Sequence, residues 1–208
     1  MTMQSMMKSF VLALLMLLPV AVTAQDNVWE KKEQAPVATN PDAKYLAGAV
    51  PEVNGYVMFS TTIKVPGKDA KQIYERMLDL MTQLTKTSEQ LEQSRVALAD
   101  SVKRQVVGAY QEWLVFKNKP LNLDRTRLFY QLVADCRDGE VDLKMMRIVY
   151  LYDEERTPTT YKAEEWITDK YGLTKKKDKL ARVSGKFRRK TIDRKDFLFE
   201  KIEELLNQ

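Results

Sequence analysis

Apolar and polar positions alternate sharply from about residue 55. Val57, Phe59, Thr61, Ile63 and Val65 fall on one side, and Met58, Ser60, Thr62 and Lys64 on the other. That period of two predicts a half-buried strand over 55–65. Pro66-Gly67 breaks it, and Asp69 with Gln72 three residues later has the spacing of a capping box. Ala70, Ile73, Met77, Leu80, Met81 and Leu84 then recur at helical spacing, which predicts an amphipathic helix to about residue 86. Four strand-like runs follow with no helix between them. Residues 94–99 carry Val96 and Leu98. Residues 103–117 form a long run with Gly108 at its middle, the mark of a bulge or a close backbone approach. After a loop expected over 118–125, residues 127–137 alternate with Leu128, Tyr130, Leu132, Ala134 and Cys136 on one face. Asp138-Gly139 supplies a hairpin turn. In 141–152, Val141, Leu143, Met145, Val149 and Leu151 share a face that Arg147 interrupts.

The remainder is less regular. Residues 161–171 read as a helix around Ala163, Trp166 and Ile167, ended at Gly172; residues 173–191 are basic and match neither period. Asp193 is the expected cap of a final helix striped by Leu198, Ile202, Leu205 and Leu206. Consecutive strands joined by short turns pair antiparallel. The fold expected is therefore α+β: an antiparallel curved sheet of about five strands, in the order strand, helix, four strands, helix, with helices packed on one face.

Ahead of this domain, Lys8 precedes the apolar run 10–22, and Val22-Thr23-Ala24 places small residues before Gln25. This is the pattern of a secretory signal peptide over 1–24. Residues 25–54, with Pro36, Pro41 and Pro51, read as an extended linker, and 55–208 as a single α+β domain. The expected setting is the periplasm, or release from the cell. No transmembrane segment is expected after cleavage, and Gln25, not a cysteine, argues against a lipid anchor.

Candidate chemistry is sparse. The chain has no histidine and one cysteine, Cys136, which removes the commonest general base and the familiar transition-metal ligand sets. No metal, no cofactor and no enzymatic activity are expected. Asp153, Glu154 and Glu155 crowd the end of the last strand, and they carry the alternative of a carboxylate-dependent hydrolase. Cys136 reads as a small buried hydrophobe.

Charge is lopsided. Residues 170–195 hold twelve Lys and Arg against two Asp, while the rest of the chain past residue 24 holds twenty-one basic against twenty-seven acidic residues. Lys175, Lys176, Lys177, Lys179, Lys186, Arg188, Arg189 and Lys190 are therefore candidates for binding an anion or a membrane surface. The competing reading is a set of ion pairs with the protein's own acidic body. Nucleic acid is not expected as a partner of an exported chain. Trp113 and Phe116, on a run apolar on both sides, are candidates for an apolar ligand or partner face.

Five stretches resemble a known family: Lys44-Tyr-Leu-Ala-Gly-Ala-Val-Pro51, Gln111-Glu-Trp-Leu-Val-Phe-Lys117, Tyr150-Leu-Tyr-Asp-Glu-Glu-Arg156, Glu164-Glu-Trp-Ile-Thr-Asp169 and Ser184-Gly-Lys-Phe-Arg-Arg-Lys-Thr-Ile-Asp-Arg-Lys-Asp196. They are similar to exported proteins of Bacteroidales that carry a domain of unknown function with a TATA-binding-protein-like fold. The resemblance spans nearly the whole chain past residue 24. It implies that fold and a bacterial envelope setting, and it implies no catalytic residue. Fold does not imply function, so DNA binding is not part of the expectation. The function expected is a non-catalytic binding or interaction module whose partner is an envelope protein or a small ligand.

Overall fold

The computed structural model describes residues 40–120 and 122–208. The leader assigned to 1–24 and the linker up to residue 39 lie outside the described residues. A single 3-10 turn (Ala43–Tyr45) opens the described chain, followed by β1 (Glu52–Val53), β2 (Tyr56–Lys64), α1 (Ala70–Leu84), β3 (Arg95–Asp100), β4 (Gln105–Lys119), β5 (Asn122–Arg137), β6 (Glu140–Tyr152), β7 (Thr159–Lys162), a second 3-10 turn (Ala163–Glu165) and α2 (Gly185–Leu206). All pairings are antiparallel, in the order β1-β2-β6-β5-β4-β3, with β7 also on β6. The sheet thus has seven strands where five were expected. The additions are the two-residue β1 and four-residue β7, too short to show a period. Asn54-Gly55, both at positive φ, form the two-residue turn that pairs β1 with β2.

Both helices cover one face of the sheet. The Asp69 capping box forms as its spacing predicts: the Gln72 N–H donates to Asp69 Oδ1 at 2.8 Å and the Asp69 N–H to Gln72 Oε1 at 3.0 Å. Ile73, Met77 and Met81 of α1 are fully buried against β4 and β5. Burial of this stripe, about 1.5–3 kcal/mol per side chain, holds the helix more than its propensity does. On β4 the covered positions are Val106, Gly108, Tyr110, Glu112 and Leu114; on β5 they are Thr126, Leu128, Tyr130, Leu132, Ala134 and Cys136. Cys136 is buried, and burial pushes its thiol up to about 12. A β-carbon on Gly108 would stand 2.4 Å from the Tyr110 ring, so the glycine makes room for that side chain.

Four local expectations are corrected. Within the loop expected over 118–125, residues 118–119 end β4 and 122–125 begin β5, with Lys119 paired to Asn122. Residues 161–171 hold no α-helix: they contain the end of β7 and one 3-10 turn, whose near-threefold repeat mimics helical spacing. Asp193 caps nothing, since α2 already begins at Gly185. The linker ends earlier than residue 54: Tyr45 and Val50 are buried in the core cluster.

β6 departs from simple alternation. Arg147 has φ +54°, and the β5 register shifts opposite it, between Phe129 and Gln131. One residue is gained there, so the covered face passes from Val141, Leu143 and Met145 to Ile148 and Tyr150. Val149 and Leu151, expected on the covered face, lie on the open one. The outer edge of β6 is divided at the same point, with β2 pairing as far as Met146 and β7 starting at Val149.

Candidate functional site

The sheet face away from the helices has two chemically distinct ends. Near the Asp138-Gly139 turn it is a polar ladder. Thr62 donates to Asp142 at 2.6 Å, Arg137 reaches Asp142 at 2.5 Å, and Asp135 accepts from Lys144 and Gln105 at 2.8 and 2.7 Å. At the other end, Ala109, Phe129, Val149 and Leu151 lead to Trp113. Trp113 faces Arg127 across the strand pair, and the guanidinium carbons of Arg125 and Arg127 lie 3.9 and 5.3 Å from its ring centroid.

The acidic cluster meets this tryptophan. Asp153 takes φ +52° at the end of β6, a conformation that aspartate tolerates, and its carbonyl accepts from the N–H groups of Arg156 and Thr157. This turn carries Glu154 onto Arg127 at 2.6 Å and Glu155 onto Arg125 at 3.3 Å. Trp113, Arg125, Leu151, Asp153, Glu155 and Arg156 line a pocket of about 240 Å³. Arg127 Nε and Glu154 Oε2, beside it, are buried with no hydrogen-bond partner. The sequence placed Trp113 and the acidic cluster in separate sites; the β5–β6 pairing makes them one.

Phe116 goes elsewhere. It shares the parity of Glu112 and Leu114, opposite to that of Trp113, and so lies on the helix side, where its ring centroid is 4.6 Å from that of Phe187. No open apolar face contains both Trp113 and Phe116.

The basic tract is also divided. Arg188 is fully buried; its Nε donates to the Tyr45 carbonyl at 2.6 Å, Nη1 to Ile167 at 2.7 Å, and Nη2 to Leu46 at 2.6 Å and to Asp169 at 2.7 Å. Gly172 permits this, since a β-carbon there would stand 2.9 Å from Arg188 Cδ. Lys186 is 2.6 Å from Asp124 and 3.0 Å from the Tyr152 hydroxyl, under the aromatic cluster of Phe116 and Phe187. Arg189 pairs with Asp42, and Lys190 is half-buried on α2. Lys175, Lys176, Lys177 and Lys179 remain exposed in the loop before α2. Arg188 is thus a fastener of the fold and unable to reach an external anion.

Two buried residues escaped notice in the sequence. Glu112 of β4 and Arg194 of α2 form a bidentate pair at 2.7 and 2.6 Å, and Gln90 donates to Glu112 at 2.8 Å. Burial pushes the Glu112 carboxyl up from its ordinary range, against the pull of Arg194. The signal was present: Glu112 continues the inward parity of Val106 and Tyr110, and Arg194 lies four residues before Leu198. Among the described residues, no group of three His, Cys, Asp or Glu side chains is placed to hold a metal ion, and no helix is long and apolar enough to cross a membrane.

Residues 59–151, from β2 to the end of β6, match the model of a domain of unknown function (DUF4468) with TBP-like fold. A crystal structure of a DUF4468 family protein from Bacteroides ovatus ATCC 8483 superposes with a TM-score of 0.73 at 39% identity, covering 81% of this chain and 96% of that one. The chain belongs to the DUF4468 family. A TBP-like protein from Parabacteroides distasonis ATCC 8503 is similar in fold, with a TM-score of 0.59 at 18% identity over 76% of this chain and 96% of that one. A comparison with curated proteins finds no match. The DUF4468 match ends at Leu151, so the acidic turn that closes the Trp113 pocket, and all of α2, lie beyond it.

Proposed function

We propose that this protein is an exported, non-catalytic binding module of the cell envelope, and that it takes a neutral, hydroxyl-rich ligand such as a saccharide at the Trp113 pocket. The observation that carries the reading is the pocket itself, an indole wall set among balanced donors and acceptors on the sheet face that neither helix covers. Arg125 and Arg156 supply donors and Asp124, Asp153, Glu154 and Glu155 supply acceptors; Lys186 on Asp124 and Arg127 on Glu154 bring the charge near balance, which favours a ligand with no strong charge of its own. Hydroxyl groups serve as donor and acceptor at once, and their carbon skeleton gains from an aromatic wall. A non-catalytic role is supported by the pairing of Glu154 and Glu155 with guanidinium groups and by the 82% exposure of Glu155.

The test is an array of bacterial surface oligosaccharides probed with the purified protein, then titration of each hit. Trp113→Ala is expected to weaken binding at least tenfold while the melting temperature stays within a few degrees. Binding unchanged by Trp113→Ala, no saccharide bound, or turnover of the bound saccharide would overturn the reading.

A further inference from the structure

We propose that residues 170–183 form a platform that docks the protein on the surface of an anionic lipid bilayer. The segment is a pinned hairpin. The Ala181 N–H donates to Gly172 O and the Thr174 N–H to Lys179 O, both at 2.9 Å, and Leu173 bridges Leu180. Leu173 is buried and Leu180 packs on the core. A β-carbon on Gly185, at the start of α2, would stand 2.7 Å from Leu180 Cβ, which shows how closely the hairpin is seated. The Ser184 hydroxyl closes the base by donating to Tyr171 O at 2.5 Å.

This frame holds its charges outward. Lys177 takes φ +56° at the tip, and Asp178 is engaged by the Thr174 hydroxyl at 2.8 Å. Lys170, Lys175, Lys176, Lys177, Lys179 and Arg182 are all exposed, and none of the six has an ion-pair partner within 4.0 Å among the described residues. The Ser184 hydroxyl on the Tyr171 carbonyl brings Tyr171 beside the link between Val183 and α2. Tyr171 is 42% and Val183 55% exposed.

That combination selects the partner. An anionic polysaccharide or a nucleic acid would use the six cations and gain nothing from an exposed valine. A bilayer uses both: head-group phosphates attract the lysines, and the interfacial zone accepts tyrosine and a small apolar side chain. Each lysine held near such a surface strengthens partitioning about fivefold. Holding the lysines on a hydrogen-bonded hairpin also reduces the ordering cost of docking. The platform is independent of the Trp113 pocket.

The experiment is co-sedimentation of the purified protein with vesicles of phosphatidylglycerol and phosphatidylcholine, against phosphatidylcholine alone, at low and high salt. Binding is expected only to the anionic vesicles, and it should weaken as salt rises. Lys175→Gln/Lys176→Gln/Lys177→Gln/Lys179→Gln should reduce partitioning more than about thirtyfold. Tyr171→Ser/Val183→Ser should reduce it about tenfold and leave retention on heparin unchanged. Melting curves and Trp113-pocket ligand titrations check that each variant is folded. No sedimentation with anionic vesicles, or sedimentation undiminished in the lysine variant, would overturn the proposal. So would vesicle binding that the Tyr171/Val183 variant leaves intact, since that is general polyanion attraction.

Discussion

Residues 175–179 and residues 186–194 are both rich in basic side chains, four of five and five of nine, yet the first group stands in solvent and the second supplies two fully buried guanidinium groups. Basic character alone does not separate them. Side-chain type and seating do. The exposed group is lysine throughout, whereas the buried positions, Arg188 and Arg194, are arginines on the inward side of α2. A guanidinium offers five donors in a planar fork, so it can satisfy several fixed acceptors at once; an ammonium is more strongly hydrated and stays out. Arg188 finds three backbone carbonyls and Asp169, and Arg194 finds both oxygens of Glu112. The fold takes up positive charge only where matching acceptors are already in place.

The strongest way to break this contrast is to remove one member of the buried pair. Arg194→Met alone is expected to cost about 3–5 kcal/mol in urea denaturation, because Glu112 loses its buried counter-charge and keeps only the Gln90 hydrogen bond. Glu112→Leu/Arg194→Met should recover most of the loss, and a double variant as unstable as the single one would show that the pair itself is what the core needs. Arg188→Met should cost about 2–3 kcal/mol by leaving buried carbonyls unpaired. It should also raise amide exchange in residues 42–50 more than in β4 or β5, and Arg188→Lys should not restore protection.

A smaller effect tests charge on the open face. Burial favours the neutral form of Asp135, but hydrogen bonds from Lys144 and Gln105 outweigh it and hold the carboxyl below its ordinary range. Its contribution is therefore present above the ordinary carboxylate value near 3.9 and is lost as pH falls through the depressed one. Asp135→Asn should flatten the acid limb of the stability curve by less than about 1 kcal/mol, the scale of a surface pair. Smallest of all, changing Lys175, Lys176, Lys177 and Lys179 to Gln should move stability by no more than about 0.5 kcal/mol. A larger loss would mean that the two groups of cations share one structural role.

The sequence made legible what repeats. Alternation along β2 and β5, the α1 stripe and the Asp69 capping box all appear where their periods place them, because one-sided burial leaves a regular trace. It concealed what interrupts a period or satisfies one residue from afar. The extra residue at Arg147 reverses the faces of Val149 and Leu151, and local pattern shows only that something intervenes. The basic tract hid the first turns of α2, since Arg188 and Arg194 read as polar until their acceptors are known. The pocket was half legible: Trp113 and the acidic turn each stood out, and only the β5–β6 register brings them together.

The fastening of the first described turn has a consequence for the order of events in synthesis. Tyr45 and Leu46 are held by Arg188, and the Tyr45 hydroxyl donates to Asp193 at 2.8 Å, across 148 positions of sequence. A chain emerging from the ribosome N-terminus first displays this segment early and must wait for almost everything else before its partners exist. Closure of the domain is therefore a late step, set by the arrival of α2. Contacts of such long range are slow to form. For a chain with a leader at 1–24, as proposed, that delay leaves the segment just behind the linker undocked until α2 has emerged.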